Sequence, residues 1–176
     1  MAEAPSPAGV RVRDAVPADT AAIVEMVHEL AAYEKAAHRV EASEADLGAA
    51  LFGPSPRVWA KVGELSTGEV AGMAVYFLSF STWTGRHGIY LEDLYVRPHA
   101  RRLGLGRRLM QALAVEALGR GLPRVEWLVL DWNAPAIEFY RSLGAVTMDG
   151  WTTFRLSGEA LDVVGRPAAP GAPPGS

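Results

Sequence analysis

The chain has 176 residues, 49% of them hydrophobic, a formal net charge of −3 and no cysteine. That length and apolar share suit one domain around one sizeable core, and the mild acidity gives no global attraction for nucleic acid. Without cysteine there is no disulfide framework, thiolate nucleophile or cysteine zinc site, which suits a reducing, cytoplasmic setting.

Both ends are rich in Pro, Ala and Gly, so residues 1–9 and 165–176 are expected to be disordered tails around a single domain over residues 10–164. No run of about eighteen uncharged apolar residues occurs, so no membrane partner is expected. Residues 10–13 alternate apolar and charged, as a short half-buried strand does. Asp19 or Thr20 can cap a helix whose apolar stripe is Ile23, Val27, Leu30 and Ala31. After a polar linker over residues 33–41, Ser43 to Asp46 forms a capping sequence for a short second helix, which Gly53 and Pro54 end.

Two strands follow, over residues 58–62 and 70–78, joined by a turn at Thr67 and Gly68. The second is apolar on both faces and is expected at the centre of its sheet. A turn over residues 83–88 leads to a strand over residues 89–96 that carries two acids, Glu92 and Asp93, in an otherwise apolar run. Then comes a turn with Arg101, Arg102, Arg107 and Arg108, and a helix from about Gly104 to Leu118 with Leu105, Leu109, Ala112, Leu113 and Ala117 on one side. Residues 125–130 read as a strand, Asn133 to Leu143 as a helix, and residues 151–156 as a last strand. The order of elements is that of a mixed α/β sheet with helices on its faces.

The arginine turn stands out because its cations sit at the positive end of a helix dipole, which costs stability unless an anion joins them. Gly104 and Gly106 would let an anion approach the first-turn N–H groups. A solvated basic turn explains the same residues equally well. A dinucleotide fingerprint fails, because Leu109 stands where a third glycine is needed, and a Walker loop would require Gly-Lys-Ser/Thr. The four histidines, His28, His38, His87 and His99, have no metal-ligand spacing, so no metal is expected.

Arg101-x-x-Gly104-x-Gly106 after a strand resembles the acyl-CoA signature of the Gcn5-related N-acetyltransferase (GNAT) superfamily. Residues 90–96 (YLEDLYV) and 132–140 (WNAPAIEFY) are similar to segments of its diamine (spermidine/spermine) and thialysine acetyltransferase branch, as are residues 30–34 and 83–85. The resemblance implies a central mixed, largely antiparallel sheet flanked by helices on both faces. It implies acetyl-CoA as co-substrate, a small-molecule primary amine as acceptor and a homodimer. Leu94, Tyr95 and Val96 would lie against the pantetheine arm through their backbone. Arg101 begins the motif, and Arg102, Leu103, Gly104, Leu105, Gly106 and Arg107 would surround the pyrophosphate, with Asn133 further along the cofactor.

The resemblance also puts Tyr140 beside the cofactor sulfur and Glu92 before the acceptor amine. An amine of pKa about 10 is protonated at neutral pH and must lose a proton before it attacks a thioester. Glu92 is the leading base and Asp93 the reserve; strand alternation lets only one of them face the site directly. Tyr140 is the acid that protonates the departing thiolate, and a backbone N–H of the strand carrying Leu94 stabilises the oxyanion. The alternative for Tyr140 is core packing, and for the two acids an ion pair with Arg97 or Arg86. Tyr33, Glu34, Glu126 and Asp149 offer an acidic lining for a diamine, polyamine, thialysine or lysine-like amine. Direct transfer in a ternary complex, without an acyl-enzyme, agrees with the missing cysteine. The rival readings are an acetyltransferase for another amine, such as an amino acid or aminoglycoside, and a non-catalytic acyl-CoA-binding module.

Overall fold

The computed structural model describes residues 9–166. The tails expected over residues 1–9 and 165–176 fall, apart from Gly9, Gly165 and Arg166, outside the described residues. The chain divides into two compact units, the second beginning at Glu138.

In the first unit, five strands form one sheet in the order β1-β2-β3-β4-β5. They are β1 (Val10–Asp14), β2 (Val58–Leu65), β3 (Val70–Ser81), β4 (Arg86–Val96) and β5 (Val125–Glu126). The first four pair antiparallel, while β5 joins β4 in parallel through Ile89↔Val125 and Tyr90↔Glu126. The apolar β3 is the central strand, as its sequence predicts, because only a position covered on both faces suits residues such as Met73 and Ala74 that are fully buried.

Helices α1 (Thr20–Tyr33) and α2 (Glu44–Phe52) cover one face. Ile23 and Met26 of α1 and Leu51 of α2 pack there with Ala60, Val62, Met73, Val75 and Tyr95. Burial of each large side chain stabilises this layer by about 1.5–3 kcal/mol. Ser43 caps α2 as expected, accepting from the Asp46 N–H at 3.2 Å while Asp46 accepts from the Ser43 N–H at 2.9 Å. Asp19 does not cap α1 with its side chain. Its carboxylate accepts from the Arg13 guanidinium at 2.6 and 2.9 Å and from the Val16 N–H at 2.8 Å. The Arg13 hydrogen bond, more than the chain's own turn, holds the Asp19 carboxyl below the usual range.

Helix α3 (Leu105–Gly119) lies on the opposite face. Leu105, Leu109 and Leu113 are buried there. Two glycines paired across β2 and β3, Gly63 and Gly72, set how closely the helix approaches. A Cβ on Gly63 would sit 2.6 Å from the Leu105 Cδ1, and one on Gly72 3.1 Å from the Leu105 Cδ2. Further along, the buried Lys61 ammonium meets Glu116 of α3 at 2.7 Å and Asp14 of β1 at 2.5 Å, and the Tyr76 hydroxyl donates to Glu116 at 2.7 Å. This network joins helix to sheet without leaving a buried charge unpaired.

Two strand expectations change. Strand β5 stops after Glu126 instead of continuing to residue 130: its ladder with β4 ends at Tyr90, two residues before the bulge at Glu92, and residues 127–130 have no strand partner. In the second unit, residues 151–156 form no strand; they have no ladder partner, and Trp151 and Phe154 are largely exposed. That unit instead ends in α5 (Gly158–Gly165), which the sequence patterns did not predict. Helix α4 (Ala134–Arg141) crosses the boundary of the two units. Among the described residues no helix is long and apolar enough to cross a membrane.

Candidate active site

The acidic strand β4 gives the site its shape. Val75 pairs with Asp93 but its neighbour Tyr76 pairs with Leu91, so Glu92 is an extra residue with no partner on β3. A bulge of this kind bends the strand and re-aims the side chains next to it. Glu92 is exposed and Asp93 half-buried. Through their register, Asp93 and Tyr95 share the face covered by α1. From the bulge onward β4 has no pairing with β5, so the edge through Leu94, Tyr95 and Val96 is open on that side.

Glu34, which caps the C-terminus of α1, belongs to the same acidic group. Burial pushes the Asp93 carboxyl up to about 6, and the charges of Glu92 and Glu34 add to that push. Burial also raises the Glu34 carboxyl. Arg97, one of the cations weighed as an ion-pair partner for Glu92 and Asp93, goes to Glu25 at 2.7 Å, Glu29 at 3.2 Å and Glu69 at 3.6 Å. The charges of Glu92 and Glu34 thus both act on Asp93, an arrangement that costs energy until a cation joins it.

The arginine turn follows directly. Arg102 and Gly104 both take left-handed backbone, with φ of 67° and 81°. Gly104 is the N-cap of α3, and the first ladder bond of that helix runs from the Arg108 N–H to the Gly104 carbonyl at 3.1 Å. The N–H groups of Leu105, Gly106 and Arg107 precede it and form the end of the helix that attracts anions. Leu103 is exposed and Leu105 buried, so the side chain of Leu105 anchors the turn while its backbone stays at the helix end.

Arg101 is tied to the end of β4 and to two aromatic rings. Its Nε donates to the Val96 carbonyl at 2.9 Å, and its guanidinium lies 5.7 Å from the centres of both the Tyr33 and Tyr95 rings. Tyr33 in turn donates its hydroxyl to Asn133 Oδ1 at 3.0 Å. Asn133 is 8% exposed, just ahead of α4. The structure therefore brings Tyr33, Arg101 and Asn133 together, which sequence spacing over 100 residues could not reveal. It also adds Lys35, and gives Trp132 of the 132–140 motif a local contact: the Lys35 ammonium lies 5.6 Å over the Trp132 ring. The sequence signal for Lys35 is its position next to Glu34.

The remaining candidates are dispersed. Glu126 receives a hydrogen bond from the Arg124 Nε at 2.7 Å and is the parallel neighbour of Tyr90, so its charge is already partnered. Asp149 is exposed in the second unit. Tyr140, in the second unit, is half-buried with its ring 5.3 Å from that of Phe139, and α4 contains no fully buried residue.

Known proteins resemble this chain over most of its length. The family model described as the acetyltransferase (GNAT) family matches residues 23–145. A thialysine N-epsilon-acetyltransferase of Mus musculus is 39% identical over 170 residues, 90% of this chain and 99% of that one. An L-ornithine N5-acetyltransferase of Arabidopsis thaliana is 29% identical, covering 88% of this chain and 87% of its own. Among solved structures, an integron cassette protein from the mobile metagenome of V. cholerae superimposes with a TM-score of 0.73 at 27% identity, over 89% of this chain and 97% of that one.

Proposed function

Because the chain belongs to the acetyltransferase (GNAT) family and is an N-acetyltransferase acting on an amine, we propose that it carries acetyl from acetyl-CoA to a primary amine of a small cationic molecule. Thialysine, a lysine-like amino acid, a diamine or a polyamine fits that description, and transfer is direct, within a ternary complex. The observation that carries this reading is the Glu34, Glu92 and Asp93 group at the bulge of β4, three acids beside an open strand edge. The substrates named for the mouse and Arabidopsis relatives, thialysine and ornithine, both present such an amine.

The residues present suit the donor. A left-handed glycine at the N-cap, the N–H groups of a helix start and an unpaired strand edge are what a pyrophosphate and an extended amide-bearing arm require. We assign the backbone of Leu94, Tyr95 and Val96 to the arm and residues 102–107 to the pyrophosphate, with Arg101 bracing the turn and Asn133 further along. Acetyl-CoA supplies the acetyl thioester when bound.

Asp93 takes the proton from the acceptor ammonium. Moving a proton from a group of pKa about 10 to one near 6 costs about 5 kcal/mol, against about 8 kcal/mol for an ordinary aspartate. This makes Asp93 the better base, and Glu92 and Glu34 hold and orient the cation. Tyr140 is the proton donor to the leaving thiolate, and a backbone N–H near Leu94 meets the oxyanion. A homodimer in the cytoplasm belongs to the same reading; the exposed Trp151, Phe154, Val146 and Met148 of the second unit support the dimer.

The test is release of free thiol from acetyl-CoA with thialysine, ornithine, a diamine and a polyamine in turn. Amine-dependent release with at least one of them is expected, with the acetyl group found on the primary amine by mass spectrometry. Release with none would overturn the proposal.

A further inference from the structure

Helix α1 ends in an unusual way. The Ala36 N–H bonds back to the Ala31 carbonyl at 2.8 Å and the Lys35 N–H to the Ala32 carbonyl at 3.1 Å, the pattern that closes a helix with a left-handed residue. That residue is Lys35, at φ 59°, where glycine is usual. Side chains persist in such backbone only where their surroundings hold them.

Here the surroundings are the segment before α4. Lys35 lies over the Trp132 ring, the Tyr33 ring is 5.9 Å from the same ring, and the Tyr33 hydroxyl donates to Asn133 Oδ1. The same oxygen accepts from the Ala136 N–H of the first turn of α4 at 3.4 Å. The Tyr33 ring also meets the Arg101 guanidinium, 5.7 Å from its centre, and Arg101 is tied to Val96. One side chain thus joins three segments: the end of α1 that carries Glu34, the arginine turn, and the start of α4.

We propose that Tyr33 is a positioning residue that couples the acceptor site to the donor site, instead of forming part of the wall around the amine. The inference rests on the proposed function, in which Glu34 serves the amine and Asn133 and the arginine turn serve the donor. A donor settling on Asn133 and the turn restricts Tyr33 and with it Glu34, so the cation meets an acidic group already in place. By reciprocity the amine strengthens donor binding by the same factor.

Calorimetry tests this, with thialysine titrated into the full chain alone and into the chain saturated with coenzyme A. In the wild type, coenzyme A should tighten thialysine binding about fivefold or more. In Tyr33→Phe, which keeps the ring and loses the hydroxyl, the two affinities should become equal, while the pH profile that reports Asp93 stays in place. Lys35→Gly relieves the left-handed backbone and so remains folded; it should lower the coupling by removing the contact with Trp132. Wild type without coupling, or undiminished coupling in both variants, overturns the inference. A wild type that acetylates none of the amines overturns the proposed function itself, and the thiol assay reveals that failure independently.

Discussion

At the scale of single residues, Asp93 is where burial and charge combine most directly. Its carboxyl is raised from the usual aspartate value of 3.8 to about 6, first by burial and then by Glu92 and Glu34. A folded pKa above the unfolded one means that the native state binds the proton more tightly, so stability is lost as pH rises from about 4 through about 6. Asp93→Asn should therefore be more stable than the wild type at pH 7, by up to about 3 kcal/mol in urea denaturation, with the difference vanishing below about pH 4. The same substitution should abolish the acid limb of kcat/KM near pH 6 and lower kcat strongly. An unchanged pH profile would remove Asp93 as the base. The sequence showed that two acids interrupt an apolar strand, and strand alternation implied that one of them faces the site. The resemblance puts Glu92 first, while the bulge between the two acids and β3 appears only when β3 and β4 are in register.

At the scale of elements, α3 links two requirements: the helix start must be close to the sheet, and its N–H groups must stay open. Gly63 meets the first by leaving room for Leu105, which is 1% exposed and whose Cδ1 would lie 2.6 Å from a Cβ there. Gly63→Ala should cost about 1–3 kcal/mol by overpacking, measured by urea denaturation, and a neutral result would show that Leu105 can move. Gly104 meets the second requirement through its φ of 81°, not through crowding, since a Cβ there would meet nothing within 4 Å. Gly104→Glu adds about 1–2 kcal/mol of backbone strain and a negative charge at the proposed phosphate site. Acetyl-CoA binding should weaken at least tenfold in calorimetry, and unaltered binding by a folded variant would sink the phosphate assignment. Both the helix and its glycines were legible from the sequence. The pairing of Gly63 with Gly72 under Leu105 was not, because it joins residues from three elements.

At the scale of the whole molecule, local pattern and long-range packing divide the information between them. Apolar periodicity, capping residues and Gly or Pro stops determined four of the five α-helices among the described residues, the β2–β3 turn and the central place of β3, because each depends on side chains a few residues apart. The motifs over residues 90–96, 101–106 and 132–140 determined the family in the same local way. Tertiary structure alone decided the rest. Whether residues 127–130 and 151–156 continue as strands depends on a neighbour to complete their ladders, and β propensity contains no information about that neighbour. The ion pair of Glu126 with Arg124 and the hydrogen bond of Tyr33 to Asn133 are likewise visible only in the folded chain. Hydrogen bonds of this kind join residues far apart in the chain, and only the folded backbone fixes the distances on which they depend.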